Sequence, residues 1–562
     1  MLFSEIQYRL RQSVFRLLLK ALSPLLPWLA RHPWAWHLKS ILFHVGSDES
    51  WLAEYGPAWD AHQAPPARPL GIVADLRGAD SATADRLLAD LAALTPPPVT
   101  VACLTDNSLP EEVAAQLGPA LLGTEAFCLY LTTNCRPHHL LPAHYAVALT
   151  ANPEVRLWYS DEAQVSVDGQ VKVFCKPAWD PLYYAHSGYV GQCFALRGDL
   201  TGQLLVTVTP NDQARSGAPS ALDWFDQALD LLGGEPVGHI PVPLYTVRAE
   251  DFPAPRPVRW KEASTASRPA VSIIIPFKDR LDLLRPCLST LLTVTDYPDF
   301  EIILVDNGSR AADMLDFLKG PLDSRIRVLT QDIPFNFSIL VNRGVAVARG
   351  SILVLLNNDI TVISSHWLSA LVDWAIKPQV GAVGAKLLYP NGLVQHGGVF
   401  VGAGHALDSG PAPPGSAHAG WPSDSDGYFG LLTSPRTMNA LTGAALAIRR
   451  DIYKEVGGFD EELAVAMNDV DFCLRVSQKG LACIWTPDAV LVHHESASRQ
   501  MDRGAPEKMA RLAAEWAFMR QRWGGALVAD PWYSPNLSPE SSYELRRPPA
   551  PRRARILPAI RF

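Results

Sequence analysis

The sequence predicts an α/β protein built on parallel strands, and three observations carry that expectation. Short apolar, β-branched runs alternate with helical patterns between residues 271 and 356. Two polar clusters, Asp306-Asn307-Gly308-Ser309 and Asn357-Asn358-Asp359, follow directly on the C-terminal ends of such runs, where open α/β sheets bind ligands. A looser version of the same pattern recurs in the N-terminal half, so two related α/β units are expected.

Taken in order, the chain opens on a basic, apolar segment. Leu10, Val14, Phe15, Leu18 and Leu19 follow helical spacing with Arg and Lys between them, and Trp28, Trp34 and Trp36 come soon after. This suits a helix lying in a membrane interface, and a helix packed on the protein's own core fits the pattern as well. Arg9, Arg11, Arg16, Lys20 and Arg31 break the apolar stretch, and the uncharged run 21–30 is shorter than the ~20 residues a spanning helix needs.

The next unit reads as strands at 99–104, before Thr105-Asp106-Asn107-Ser108, and at 129–131, before Thr132-Thr133-Asn134. Pro153 lies 21 residues after Thr132, as Pro378 lies 21 after Asn357. In that alignment Asn134 stands where the second unit has Asp359, so the first unit lacks a carboxylate there. A Pro- and Arg-rich linker at 252–269 leads into Val271-Ser272-Ile273-Ile274-Ile275, a buried strand ending at Pro276. Helices are expected at 281–292 and 339–348, and strands at 301–305 and 351–356. The stretch 396–439, with Gly397-Gly398, Pro411, Pro413-Pro414 and Gly415, reads as too irregular for regular structure and long enough for a lid. Met509, Leu512, Ala513, Trp516, Met519 and Trp523 space as a helix that serves as core or brace.

Composition narrows the function. The 562 residues are 48% hydrophobic and 19% charged, which excludes a mostly disordered chain, and the 47 prolines and 38 glycines predict long loops. Net charge is −8, an unsuitable footprint for nucleic acid. Both ends are nevertheless basic. Residues 1–47 carry six Lys or Arg against Glu5 alone, and the segment from Arg546 carries six Arg and no acid, which suits an anionic membrane surface. None of the eight cysteines forms a pair at the spacing of zinc or redox sites, so a reduced, cytoplasmic setting is expected.

Read together, 271–276, 302–309, 355–359, Val456-Gly457-Gly458-Phe459-Asp460-Glu461 and Asn468-Asp469-Val470-Asp471 resemble family 2 glycosyltransferases of the GT-A fold. Val492-His493-His494-Glu495-Ser496-Ala497-Ser498-Arg499 and Asp530-Pro531-Trp532-Tyr533-Ser534-Pro535-Asn536-Leu537 resemble the bacterial subgroup that builds O-antigen and related surface polysaccharides, rhamnosyltransferases included. Tyr159-Ser160-Asp161-Glu162 and Phe174-Cys175-Lys176-Pro177-Ala178-Trp179-Asp180-Pro181 resemble the tandem members of the family. The fold this implies is α/β: a GT-A, Rossmann-like nucleotide-diphospho-sugar transferase domain preceded by a degenerate GT-A-like domain. The implied boundaries are a membrane-associating segment at 1–50, the degenerate domain at 66–255, a linker at 256–269, the catalytic domain at 270–530 and a basic extension at 531–562.

The resemblance assigns Asp306 to the imide N–H of uracil or thymine, where a turn is the plain structural alternative. Pro276 and Asp279 begin the same nucleotide site, and Lys278 stands where its charge meets phosphate or solvent. Asn357-Asn358-Asp359 occupies the place of the family's Asp-x-Asp motif. With Asn first, Asp359 carries most of the duty of holding a divalent cation, Mn²⁺ or Mg²⁺, against the sugar-nucleotide diphosphate. Asn342 supports this loop. Asp469 is implied as the general base and Asp471 as steadying the site or acceptor, against a reading of both as helix-capping acids. His493 is implied as metal ligand, with His494 the adjacent alternative, because neighbouring strand residues point to opposite faces. Imidazole with few carboxylates suits Mn²⁺ at least as well as Mg²⁺. Trp421, Tyr428 and Phe429 offer aromatic faces to an acceptor sugar.

The expectation is an inverting glycosyltransferase taking a sugar from a nucleoside diphosphate, dTDP-rhamnose or a UDP-sugar, to a growing, lipid-linked bacterial surface glycan. It would sit peripherally at the cytoplasmic face of the membrane among polysaccharide-assembly partners. The alternative is a catalytically silent sugar-nucleotide or glycan-binding scaffold, for which Asn357 and the Thr132-Thr133-Asn134 copy speak.

Overall fold

The structure is a computed structural model and describes residues 48–49, 51–53, 69–106, 108–207, 221–251, 268–402, 415–494, 506–538, 543–546 and 554–557. Nearly all of the expected membrane segment at 1–50, the linker at 256–269 and residues 495–499 of the terminal motif therefore lie outside the described residues, apart from 48–49 and 268–269. Among the described residues no helix is long and apolar enough to cross a membrane.

The first part runs β1 (Leu70–Asp75), α1 (Ser81–Ala92), β2 (Thr100–Leu104), α2 (Pro110–Leu117), β3 (Phe127–Thr132), β4 (Arg136–Pro137), α3 (Leu141–Ala151), β5 (Leu157–Val165), β6 (Val171–Phe174), α4 (Pro181–Ser187), β7 (Cys193–Arg197), α5 (Gly198–Thr207), α6 (Ala221–Leu232) and β8 (Val237–Arg248). The second runs β9 (Val271–Phe277), α7 (Leu281–Val294), β10 (Phe300–Asp306), α8 (Ala312–Lys319), β11 (Ile326–Thr330), α9 (Phe337–Val347), β12 (Ile352–Leu356), β13 (Ile360–Val362), α10 (Trp367–Ala375), β14 (Val380–Leu388), β15 (Val394–His396), β16 (Val399–Phe400), β17 (Gly415–Ser416), β18 (Arg436–Met438), β19 (Ala445–Arg449), α11 (Arg450–Glu455), α12 (Asn468–Gln478), β20 (Ala482–His493) and α13 (Pro506–Trp523). A last strand, β21 (Arg555–Leu557), returns to the first sheet on β8.

The two sheets share one plan. The first is ordered β2-β1-β3-β7-β5-β8, with β4 on β8 and β6 on β5; the second is β10-β9-β12-β19-β14-β20, with β13 on β20 and β15 on β14. Parallel and antiparallel pairings match strand for strand. The α/β class expected from the alternating runs is the class observed.

Strand periodicity explains the core. Every residue of β9 is buried, as in a parallel sheet covered on both faces. Ile273, Ile275 and Phe277 pack with Leu284, Leu288 and Leu291 of α7, whereas Ile274 joins Leu340 and Val341 of α9 on the other face. Within the stretch 396–439 the described residues form the end of β15 and three short strands, β16 to β18, separated by turns; residues 403–414 within it are outside the described set.

This stretch also joins the sheets. The Tyr428 hydroxyl accepts the N–H of Cys175 at 2.9 Å, and Phe429 stacks on Phe174 with centroids 3.9 Å apart. Buried Asp180, which caps α4, also accepts the Thr437 N–H at 2.9 Å and its hydroxyl at 3.1 Å. Thr437 lies in β18, paired to β20 opposite Ile484, so the first sheet grips the strand that carries His493.

Candidate active site

The site begins where β9 and β10 end. Asp279, with φ 50°, accepts the N–H groups of Arg310 at 2.7 Å and Ala311 at 2.8 Å, and those bonds, Ala311's first, hold its carboxyl below the usual range. Asp306 is buried; its Oδ1 accepts the Ser309 N–H at 2.9 Å and hydroxyl at 2.6 Å. Gly308 has φ 68°, and a side chain there would collide with Asp332, which is why glycine completes this turn. The tetrapeptide is thus a turn, and it still leaves Asp306 Oδ2 without a hydrogen-bond partner among the described residues. Lys278 is exposed. Pro276 lies inside β9 and is buried opposite Val305.

At the end of β12, Asn357, Asn358 and Asp359 are half-buried. The antiparallel pairing of β13 with β20 sets Ile360 opposite His493 and brings Asp359 Oδ1 to 3.1 Å from His493 Nε2. Asn357 Nδ2 is 3.3 Å from the same nitrogen, and His493 Nδ1 is 2.8 Å from Gln395 Oε1 on β15. With Gln395 Oε1 facing it as acceptor, Nδ1 carries the proton and Nε2 keeps a lone pair in the neutral ring. That lone pair can accept from the Asn357 amide and also faces the Asp359 carboxylate oxygen, a second contact that is favourable with imidazolium or with a cation between the two. Burial pushes the Asp359 carboxyl up, but the close contact and charge of His493, with the charge of His494, outweigh it and hold it below its ordinary value.

These residues fit a divalent cation. Asp359 Oδ1 is buried and makes no well-aligned hydrogen bond despite its 3.1 Å contact, and an imidazole whose far nitrogen is held by an acceptor is a usual metal ligand. The protein's donor set is small: among the described residues no group of three His, Cys, Asp or Glu could hold a metal. His494 turns away, its Nε2 2.9 Å from Thr361 Oγ1. Gln395 was not singled out in the sequence; its one signal is its place beside His396, ahead of Gly397-Gly398.

Asp469 reaches this cluster through two residues of backbone. The Asn357 N–H donates to Ala444 O at 3.0 Å, and the Gly443 N–H donates to Asp469 Oδ2 at 2.9 Å. Asp469 sits half-buried in the first turn of α12, after Met467 with its left-handed φ of 63°.

Three expected roles change. Asp471 is fully buried and accepts from Arg475 Nε at 2.8 Å, Arg522 Nη1 at 2.9 Å and Trp523 Nε1 at 2.9 Å, so it latches α13 to α12 instead of steadying an acceptor. Asn342 is saturated: Nδ2 donates to Phe459 O and Glu461 Oε1 at 2.9 and 3.0 Å, while Oδ1 accepts the Tyr453 hydroxyl and the Phe459 N–H at 2.6 and 3.0 Å. It pins α9 to the turn at 456–461, not to the nucleotide loop. Tyr428 is buried between the sheets, where it serves packing and not a sugar face, whereas Trp421 is half-buried and packs edge-on to His418 and Tyr543. An open cavity of about 420 Å³ adjoins Asn342, Asp460, Glu461, Arg475 and Arg522 and includes none of Asp306, Asp359 or His493.

The first sheet answers position by position. The Thr132 N–H donates to Gln192 O at 3.4 Å as Asn357 does to Ala444, which aligns Gly191 with Gly443, Asn134 with Asp359 and, through the β4–β8 register, Val247 with His493. At Gly443 an added Cβ would stand 3.6 Å from Asp469 Cβ. At Gly191 it would stand 2.5 Å from the Tyr245 hydroxyl and 2.6 Å from Glu162 Oε2. Buried Lys176 completes that cluster, 2.9 Å from Glu162 and 2.8 Å from Tyr245.

Comparison with known proteins adds the following. Residues 272–457 match Glycosyl transferase family 2. The chain is 46% identical over 276 residues to Uncharacterized protein y4gI of Sinorhizobium fredii, covering 48% of this chain and 29% of that protein. It is 34% identical over 445 residues to O-antigen biosynthesis protein RfbC of Myxococcus xanthus, covering 72% and 33%. It is 27% identical over 259 residues to N-acetylglucosaminyl-diphospho-decaprenol L-rhamnosyltransferase of Mycobacterium tuberculosis, covering 42% and 80%. The chain spans about a third of the length of the first two of these relatives.

Proposed function

We propose, with a Glycosyl transferase family 2 domain at 272–457 as the premise, that this chain is an inverting glycosyltransferase. Its donor would be a nucleoside-diphosphate sugar and its acceptor a growing bacterial surface glycan. The observation that carries the reading is the juxtaposition of the Asp359–His493 pair, 3.1 Å apart, with Asp469 across Gly443-Ala444.

The chemistry follows from that placement. Asp306 Oδ2 would accept the imide N–H of a pyrimidine base. Asp469 would take the proton from an acceptor hydroxyl, whose oxygen forms a bond to the anomeric carbon as the bond to the diphosphate oxygen breaks, inverting the centre. Asp359 and His493 would hold a divalent cation, which would supply positive charge beside the diphosphate. The rhamnosyltransferase relative supports a deoxyhexose such as rhamnose, and the O-antigen relative supports a surface polysaccharide. Basic residues near both ends favour work at the cytoplasmic membrane face on a lipid-linked acceptor, within a polysaccharide assembly system.

The first sheet is read as a degenerate, non-catalytic GT-A-like copy. Asn134 and Val247 stand for the two ligating residues, and the Lys176–Glu162–Tyr245 cluster fills the space beside Gly191. The scaffold reading therefore suits the first sheet and not the second.

The test is release of nucleoside diphosphate from dTDP-L-rhamnose, UDP-glucose, UDP-N-acetylglucosamine and GDP-mannose with Mn²⁺ or Mg²⁺. One donor should turn over, Asp359→Ala should abolish turnover, and Asp469→Asn should lower it by about 10²–10⁴. Turnover untouched by Asp359→Ala would remove the proposed site.

A further inference from the structure

The helix α13 bears no residue of the proposed chemistry, yet it holds the segment that delivers Asp469. Glu515 is a buried carboxylate, 4% exposed, whose Oε1 accepts the Val465 N–H at 2.9 Å and whose Oε2 accepts the Ala466 N–H at 3.0 Å. A carboxylate spending both oxygens on two consecutive backbone donors fixes the orientation of that peptide, because charge-assisted bonds of this kind are short and directional. From the other side, α9 holds the same segment: the Phe337 N–H donates to Ala464 O at 2.7 Å and the Ser338 hydroxyl to Leu463 O at 2.6 Å.

Immediately beyond the clamp stands Met467 in the left-handed region, where a non-glycine residue persists only if its surroundings over-determine it. Met467 sets the direction in which α12 starts, and Asp469 is the second residue of that helix. If Met467 relaxes, Asp469 Oδ2 leaves the Gly443 N–H. From this geometry we infer that Glu515 is a positioning residue for Asp469, acting through the 463–467 turn. The inference rests on the reading of Asp469 as the base.

The experiment compares wild type, Glu515→Gln, Asp469→Asn and the double variant in the 562-residue chain, with the four sugar nucleotides above and Mn²⁺. Glu515→Gln keeps the shape but turns one acceptor into an NH₂ facing a backbone N–H. Its kcat is expected to fall at least tenfold with donor KM within twofold, and the substitution is expected to change turnover less than twofold in the Asp469→Asn background. An equal fall in both backgrounds, or a rise in KM with kcat intact, overturns the inference. Wild-type turnover by Glu515→Gln beside a defective Asp469→Asn sinks the clamp alone. Wild-type turnover by Asp469→Asn, or none with any donor in the wild type, sinks the reading of the base and the inference with it. Hydrogen exchange on the wild-type chain is the second measurement, independent of the variant's folding: the Val465 and Ala466 amides should exchange as slowly as those of β12, and fast exchange counts against the clamp.

Discussion

Replacing Gln395 with Leu keeps the volume of the side chain and removes the acceptor 2.8 Å from His493 Nδ1. The structure predicts two consequences of one origin. The hydrogen bond that orients the ring is lost, and the proton is freed to move to Nε2, where it would point at Asp359 Oδ1 only 3.1 Å away. The imidazole and carboxylate would then satisfy each other and compete with a cation. Loss of an outer partner of a metal-bound histidine lowers affinity by about 10–100-fold, or roughly 1.4–2.7 kcal/mol. Mn²⁺ titration of the purified chain, followed by the loss of the free-ion electron-spin-resonance signal, measures this without any sugar nucleotide. Gln395→Leu should weaken binding within that range, whereas Gln395→Glu, which keeps an acceptor, should bind at least as tightly as wild type. Binding by the Leu variant within twofold of wild type would refute the argument that the ring nitrogen is set from β15.

Asp471→Asn strips the charge from a carboxylate holding Arg475, Arg522 and Trp523, and breaking a buried pair of this kind costs about 3–5 kcal/mol; urea unfolding should show it. Tyr428→Phe leaves the buried Cys175 N–H without its acceptor, so it should destabilise the fold by about 1–3 kcal/mol while leaving acceptor KM unchanged; a KM effect without destabilisation would restore the sugar-face role. Burial raises the Asp180 carboxyl to about 6, against the opposing pull of the Thr437, Tyr183 and Leu182 N–H groups. The fold therefore favours its neutral form: that stability is complete below the unfolded value of 3.8 and is lost as pH rises through about 6. The stability of Asp180→Asn relative to wild type should thus improve by about 2 kcal/mol between pH 4 and 7, and a flat difference would contradict the shift.

Local sequence carried the strands and the spacing of the repeat. The run Val271-Ser272-Ile273-Ile274-Ile275 could be little but a covered strand, and β9 extends it to Phe277 through the expected stop at Pro276. The alignment of Thr132 with Asn357 reappears as two equivalent backbone hydrogen bonds, Thr132 to Gln192 and Asn357 to Ala444. Asp359 and His493, 134 residues apart, were both marked by their places at strand ends, and alternation along β20 left the choice of histidine open.

What the tertiary structure decided concerns partners distant in sequence. Asp469 and Asp471 are two residues apart and chemically alike, yet one remains half-buried against Gly443 while the other is buried under Arg522 and Trp523, because helical geometry turns them about 200° apart around α12. Nothing local distinguishes them. The same holds for Tyr428, whose ring could have faced a sugar but packs where the two sheets meet, and for Gln395 and Glu515, whose partners lie 98 and about 50 residues away. Periodicity records which residues must leave water, and so the strands and the repeat are written in sequence. Which buried polar atom meets which is set by how the sheets and helices pack, and that pairing separates the residues proposed for chemistry from those that hold them in place.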